Sequence, residues 1–157
     1  MVGAVENLRH GVARIDRRHL DALGLYNSGR RADAREAFAQ LWAEASEGDP
    51  FHQCVLAHYM ADAQDEPADE LEWDRKALAA ADRISRERPD AASLTILSLY
   101  PSLHLNLADV LYRLGRIDEA RKHVNLAQQG TGALANDGYG QMIRAGIERL
   151  TTRLGSG

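Results

Sequence analysis

Apolar residues recur along this chain at three- and four-residue steps, the period of an amphipathic helix, and nowhere in the sustained alternation of a strand. The clearest case is Pro101 to Gln128, PSLHLNLADVLYRLGRIDEARKHVNLAQ. It reads as two amphipathic helices folded back on each other through Leu114-Gly115-Arg116, with leucines on the first and small residues on the second.

Upstream, residues 1 to 14 are weakly periodic, Gly3 and Gly11 interrupting Val5, Leu8 and Val12, and predict only a short or frayed helical lead-in. From Asp16 the pattern strengthens through Leu20, Leu23 and Leu25, and Gly29 suits a C-terminal stop, giving a first helix of roughly 15 to 28. Ala32, Ala34, Ala37, Phe38 and Leu41 predict a second, to about Ala45, ended by Glu47-Gly48-Asp49-Pro50 because proline and the residue before it leave helical geometry. A third, about 51 to 63, carries Phe51, Val55, Leu56, Tyr59 and Met60. Its stop is polar, Gln64-Asp65-Glu66-Pro67. Pro67 belongs in the first turn of a fourth helix, 67 to about 86, where Asp69 and Glu70 meet the positive end of the helix dipole. That helix bears Leu71, Trp73, Ala77, Leu78, Ala81 and Ile84.

Pro89 breaks it and Asp90 can cap a restart. Ile96, Tyr100, Leu103, Leu107, Val110 and Leu114 then keep one apolar stripe in phase straight through Pro101. A phase kept across a proline indicates one long helix, 91 to 114, kinked there. The alternative is a short helix ending near Leu99 and a new one starting with Pro101. After Gly115 comes a helix from Asp118 to Gln129 with Ala120, Val124 and Ala127. Gly130, Gly132, Gly138 and Gly140 mark a loop, and Asn136 or Asp137 can cap a last helix, about 137 to 154, through Met142, Ile143, Ile147, Leu150 and Leu154. Seven or eight helices without a credible strand make the chain all-α.

Composition narrows the classes. The 157 residues suit one domain with a core of its own, and 45% hydrophobic with 27% charged is an ordinary globular balance. No apolar run approaches the roughly eighteen residues of a membrane span, and the opening MVGAVENLRHGVARID carries charge where a signal peptide needs an apolar core. The single cysteine, Cys54, excludes an internal disulfide and fits a reducing compartment, so the expected location is cytoplasmic. A net charge of -4 argues against nucleic acid, which requires a basic face. Residues 51 to 100 hold ten acids against five bases, whereas 101 to 157 hold five against seven. That opposite bias suits head-to-tail contacts within the molecule or between two copies in a homo-dimer.

GRRADAREAFAQL at Gly29 and GRIDEARKHVNLA at Gly115 share a glycine turn, an alanine five residues on and an apolar residue nine on. Here the chain resembles the tetratricopeptide repeat (TPR) family, whose unit is a helix pair of about 34 residues. Leu107, Ala108, Leu111, Gly115, Ala120, Val124 and Ala127 carry the best match, with Ala108 at the family's usual glycine. The first unit gives Ala22, Leu25, Gly29, Ala34, Phe38 and Leu41, with Asp21 where the family has a large apolar residue. The middle unit retains Ala57, Met60, Ala77 and Leu78 but has Gln64-Asp65 at the turn. The two glycine turns lie 86 residues apart, and the stretch 83 to 100 absorbs what exceeds two unit lengths. The resemblance implies a right-handed α-α superhelix of about three TPR-like hairpins (15–48, 51–86 and 91–129) and a C-terminal capping helix. Alanine at a helix crossing lets two backbones approach, so Ala120→Leu should overpack the last hairpin by about 1 to 3 kcal/mol. Thermal melting checks this, and an unchanged midpoint contradicts the hairpin.

Candidate chemistry is sparse. His52 and His58, six apart around Cys54, do not share a helix face as zinc ligands would. Cys54 reads as a small buried hydrophobe. The acids from Asp62 to Asp74 lack the spacing and central glycine of a calcium loop, and Arg83, Arg86 and Arg88 sit where a helix C-terminus favours cations. Trp42 and Trp73, on second helices, read as packing between neighbouring hairpins. No catalytic constellation, metal or cofactor is implied.

The resemblance implies instead a non-catalytic adaptor binding a protein or peptide on the concave wall made by first helices, or, as an alternative, a sensor of a small signal peptide or metabolite. That wall would present Asp16, His19, Leu23, Tyr26 and Asn27 from the first unit and Ser102, Leu105, Asn106, Asp109, Tyr112 and Arg113 from the last. Asn106, Tyr112 and Arg113 are the favoured contacts, since asparagine can pair with a peptide backbone and arginine can grip a carboxylate. With Lys76 and Lys122 the only lysines, the family's lysine-rich carboxylate clamp is not expected.

Overall fold

Helix ends fall where local backbone chemistry puts them. The computed structural model describes residues 16–45, 49–87 and 93–155, and all regular structure among them is helical. The Asp16 carboxylate accepts the N–H groups of Arg18 and His19 and so starts α1, Arg17–Asn27. Gly29, at φ +81°, ends it: its N–H donates to the Tyr26 carbonyl and that of Arg30 to the Leu25 carbonyl. The chain turns into α2, Arg31–Glu44. Gly115, at φ +74°, repeats this turn with the carbonyls of Tyr112 and Leu111, joining α5, Ser93–Arg113, to α6, Ile117–Gly130.

Between these lie α3, Pro50–Asp62, with Asp49 accepting from the His52 N–H, and α4, Pro67–Glu87. Their turn has no glycine because neighbouring side chains cap it. Arg31 of α2 donates to the carbonyls of Asp62 and Gln64, each at 2.8 Å, while Arg35 reaches the Ala63 carbonyl and the Asp65 carboxylate. Arginines from one hairpin thus satisfy the orphan carbonyls that end the next.

The stripe through Pro101 belongs to one helix, as its unbroken phase indicates. The ring of Pro101 rests on Gly130 at the end of α6, where an added Cβ would lie 3.1 Å from Pro101 Cγ. The lead-in at 1 to 14, Glu47-Gly48, Arg88, Pro89, Asp90 and the first two positions of the long helix fall outside the described residues. After α6, a 3-10 turn at Thr131–Ala133 leads to α7, Gly138–Gly155. Asp137 rather than Asn136 caps it, accepting from the Gly140 N–H at 2.8 Å.

Helices pair as antiparallel hairpins, α1 with α2, α3 with α4 and α5 with α6; α4 also packs along α5, and α7 lies on α5 and α6. Ala22, Ala34, Ala57, Ala77, Ala108 and Ala120 retain no accessible surface, so the backbones approach at these positions. Trp42 and Trp73 meet edge to face at 5.1 Å between α2 and α4, and the Lys76 ammonium lies 3.8 Å from the Trp73 ring centre. Among the described residues no helix is long and apolar enough to cross a membrane.

Candidate functional site

A cavity of about 320 Å³ opens where the ends of α3 and α4 face α5 and α7. Asp62 and Glu70 flank the α3–α4 turn, Leu105, Asn106 and Asp109 come from α5, and Gly146, Arg149, Leu150 and Arg153 form one face of α7. Gly146 makes room for the Leu105 side chain beneath α7, since a Cβ there would stand 2.7 Å from Leu105 Cδ2 and displace it. Leu105 and Leu150 are the apolar part of the lining.

The two sides carry opposite charge. Arg113 bridges Glu70 at 2.6 Å and Asp109 at 2.9 Å, so one guanidinium serves two carboxylates. Among the described residues the Asp62 carboxylate has only His58, at 3.8 Å. Across the cavity, Arg149 and Arg153, one turn apart on α7, form no ion pair or hydrogen bond with any described residue. Asn106 lies between the walls and donates through Nδ2 to His58 Nδ1 at 3.2 Å, which places the proton of neutral His58 on Nε2, toward Asp62.

Beside the acidic wall, Asp74 is buried, and neither carboxylate oxygen has a hydrogen-bond partner. Burial, and then the charges of Glu70 and Asp62, push its pKa up to about 8. Asp74 is the eighth residue of α4, as Phe38 is of α2 and Val124 of α6. It thus occupies a register that is apolar in the other two hairpins.

Of the sequence-derived groove residues, Asn106 and Asp109 line this cavity and Arg113 braces its acidic wall. His19, Leu23 and Ser102 turn inward instead. Leu23 packs with Phe38 and Leu56, and Ser102 donates to the Leu99 carbonyl. His19 is 2% exposed, because both ring nitrogens are satisfied inside. Its Nδ1 donates to Asp16 at 2.8 Å, so neutral Nε2 accepts from His52 Nε2 at 2.6 Å. Tyr26 is half-buried beneath the Arg31 guanidinium and Asn27 is exposed, both on α1 and apart from the cavity. Tyr112 packs against the α5–α7 core.

Two signals could have found more. Asp16, His19, Ala22, Leu23 and Tyr26 recur 33 residues later as Asp49, His52, Val55, Leu56 and Tyr59, which marks α1 and α3 as equivalent helices and pairs their histidines. Gly146, Arg149, Leu150 and Arg153 stand at i, i+3, i+4 and i+7, one face of α7.

Other polar groups lie inside the fold. His104 and His123 join α5 to α6 through Nδ1 atoms 3.0 Å apart, and burial followed by the charge of His123 pushes His104 down to about 4. Cys54 is buried, its thiol pushed up to about 12 by burial and then by Asp82, which leaves no reactive thiolate at neutral pH. No family model, curated protein or solved structure matches the chain.

Proposed function

We propose that this chain is a non-catalytic adaptor of TPR-like build, its three hairpins stacked as a right-handed superhelix with α7 as cap, that binds a protein or peptide segment in the cavity between α5 and α7. One observation carries the reading: polar groups with unused hydrogen-bonding and charge capacity, Asn106, Arg149 and Arg153, converge on an open cavity with an apolar base. Elsewhere in the fold such capacity is mostly consumed internally, as in the histidine pairs. The matching glycine turns, the alanines at the hairpin crossings and the 33-residue recurrence of α1 in α3 support the repeat architecture. A lone buried cysteine supports a cytoplasmic setting. The cavity volume also lies at the lower end of the small-molecule range. That favours, as second reading, a sensor of a short signal peptide or metabolite at the same place.

Selection of a displayed random-peptide library against the full chain tests the adaptor. Enriched peptides should bind saturably, and Asn106→Ala or the surface variant Arg149→Ala should each weaken them about tenfold, a loss of about 1.4 kcal/mol, with melting unchanged in the Arg149 variant. An absence of enrichment, or peptides indifferent to both variants, overturns the reading. A small molecule retained by the purified chain in native mass spectrometry, and lost in the same variants, establishes the sensor in its place.

A further inference from the structure

The cavity is bipolar, and its two walls are unequally satisfied. The Arg113 guanidinium answers Glu70 and Asp109 but not Asp62, and the surplus negative charge of the three carboxylates adds to burial in raising the pKa of Asp74. The side chains of Arg149 and Arg153 stand opposite without a partner among the described residues. Two like charges one turn apart on a helix repel each other, and an anion between them would relieve that repulsion. A ligand of one sign meets repulsion from one wall; a ligand carrying both signs meets attraction from both.

We propose that the cavity recognises a mixed-charge peptide segment, seating a guanidinium or ammonium group on the Asp62, Glu70 and Asp109 wall and a nearby carboxylate on Arg149 and Arg153. This rests on the peptide-binding reading and adds the charge pattern of the partner. The dimensions agree. In an extended peptide, side chains two residues apart share a face and lie about 7 Å apart, about the edge of a cube of the cavity's volume. Asn106, between the walls, can pair with the backbone joining those side chains. The preferred element is therefore a basic residue and an acidic residue separated by one position.

The probes are acetyl-Arg-Ala-Glu-amide and two single-charge controls, acetyl-Arg-Ala-Gln-amide and acetyl-Gln-Ala-Glu-amide, titrated into the isotopically labelled full chain. We expect the mixed peptide to bind about tenfold more tightly than either control at low salt, to lose that advantage in high salt, and to shift the Asn106 side-chain amide and the Gly146 N–H. The Arg149→Gln/Arg153→Gln double variant should reduce the mixed peptide to the affinity of the basic control, and Asp62→Asn should move it toward that of the acidic one. Equal affinity of the mixed peptide and either control, or shifts confined to other helices, overturns the proposal. If library-selected peptides bind in this cavity without such a pair, the adaptor stands and the charge pattern fails. If no peptide reaches the cavity, both fail.

Discussion

Replacing Asp74 by asparagine is expected to stabilise the folded chain by about 3 to 4 kcal/mol at pH 7 and to raise its melting temperature by roughly 10 °C. The carboxyl is buried with both oxygens unpartnered, and its pKa rises from an ordinary 3.8 to about 8 in the fold. In the unfolded chain it ionises near 3.8, so at neutral pH folding must return a proton to it. The sign follows directly. Below about pH 4 the group is protonated in both states and costs nothing through ionisation. Between about 4 and 8 stability falls as pH rises, by up to about 1.4 kcal/mol per unit, and above 8 the loss levels off. Asparagine has nearly the same shape and no charge to remove. Denaturation of both proteins between pH 7.5 and 8.5 checks this, in a window about a unit above the ordinary 6.5 at which His104 titrates in the unfolded chain. The parent should weaken with pH and the variant should not. A variant less stable than the parent, or one keeping the parent's slope, contradicts the account.

Such a cost in the middle of α4 was hidden from sequence reading by its surroundings. Asp74 stands in the acidic run that reads as a solvated turn and helix start, and only the helix register, which equates it with Phe38 and Val124, shows that it faces inward. Residues that dictate the backbone were legible. Gly29 and Gly115 adopt positive φ, Pro67 opens a helix, and the unbroken stripe reported one helix through Pro101, whereas Pro50, read as part of a stop, is the first residue of α3. The turn between α3 and α4 was legible as a polar stop before Pro67, but what holds it was not, because arginines of α2 complete it and their role exists only in the packed structure.

The candidate site divides in the same way. Asn106 and Asp109 follow from the exposed face of α5, but their opposite wall belongs to α7, which the repeat pattern treats as a solvating cap. Its face became visible once Gly146 was seen to make room for Leu105 beneath α7. On α1 the periodicity gave the right helix, but two of the residues assigned to its open face, His19 and Leu23, are buried. His19 is polar yet buried, because Asp16 and His52 answer both of its nitrogens, and a single sequence does not reveal that pairing until the 33-residue recurrence is noticed.

Phe38→Ala should have the opposite sign from Asp74→Asn at the same register, costing about 3 to 5 kcal/mol. Phe38 has no accessible surface and stacks on Tyr59, with ring centres 5.4 Å apart. Truncation removes that stack and leaves a void among Ala34, Leu41 and Leu56, which the crossed backbones cannot fill by collapsing. The Tyr59 hydroxyl is already buried without a partner, so loosening its ring recovers little until water enters. Because no ionisable group is removed, the loss should be the same at pH 7.5 and 8.5, which separates it from the Asp74 effect in denaturant titrations. Phe38 belongs to the α1–α3 core and does not line the cavity, which meets that core only at Asp62, the last residue of α3. At temperatures where the variant remains folded, peptides selected on the parent should therefore bind it with unchanged affinity. A loss of about 1 kcal/mol or less would contradict the tight crossing, for truncations of this kind in a packed core cost several times that. Weakened peptide binding by a folded variant would show that the two ends of the molecule are coupled.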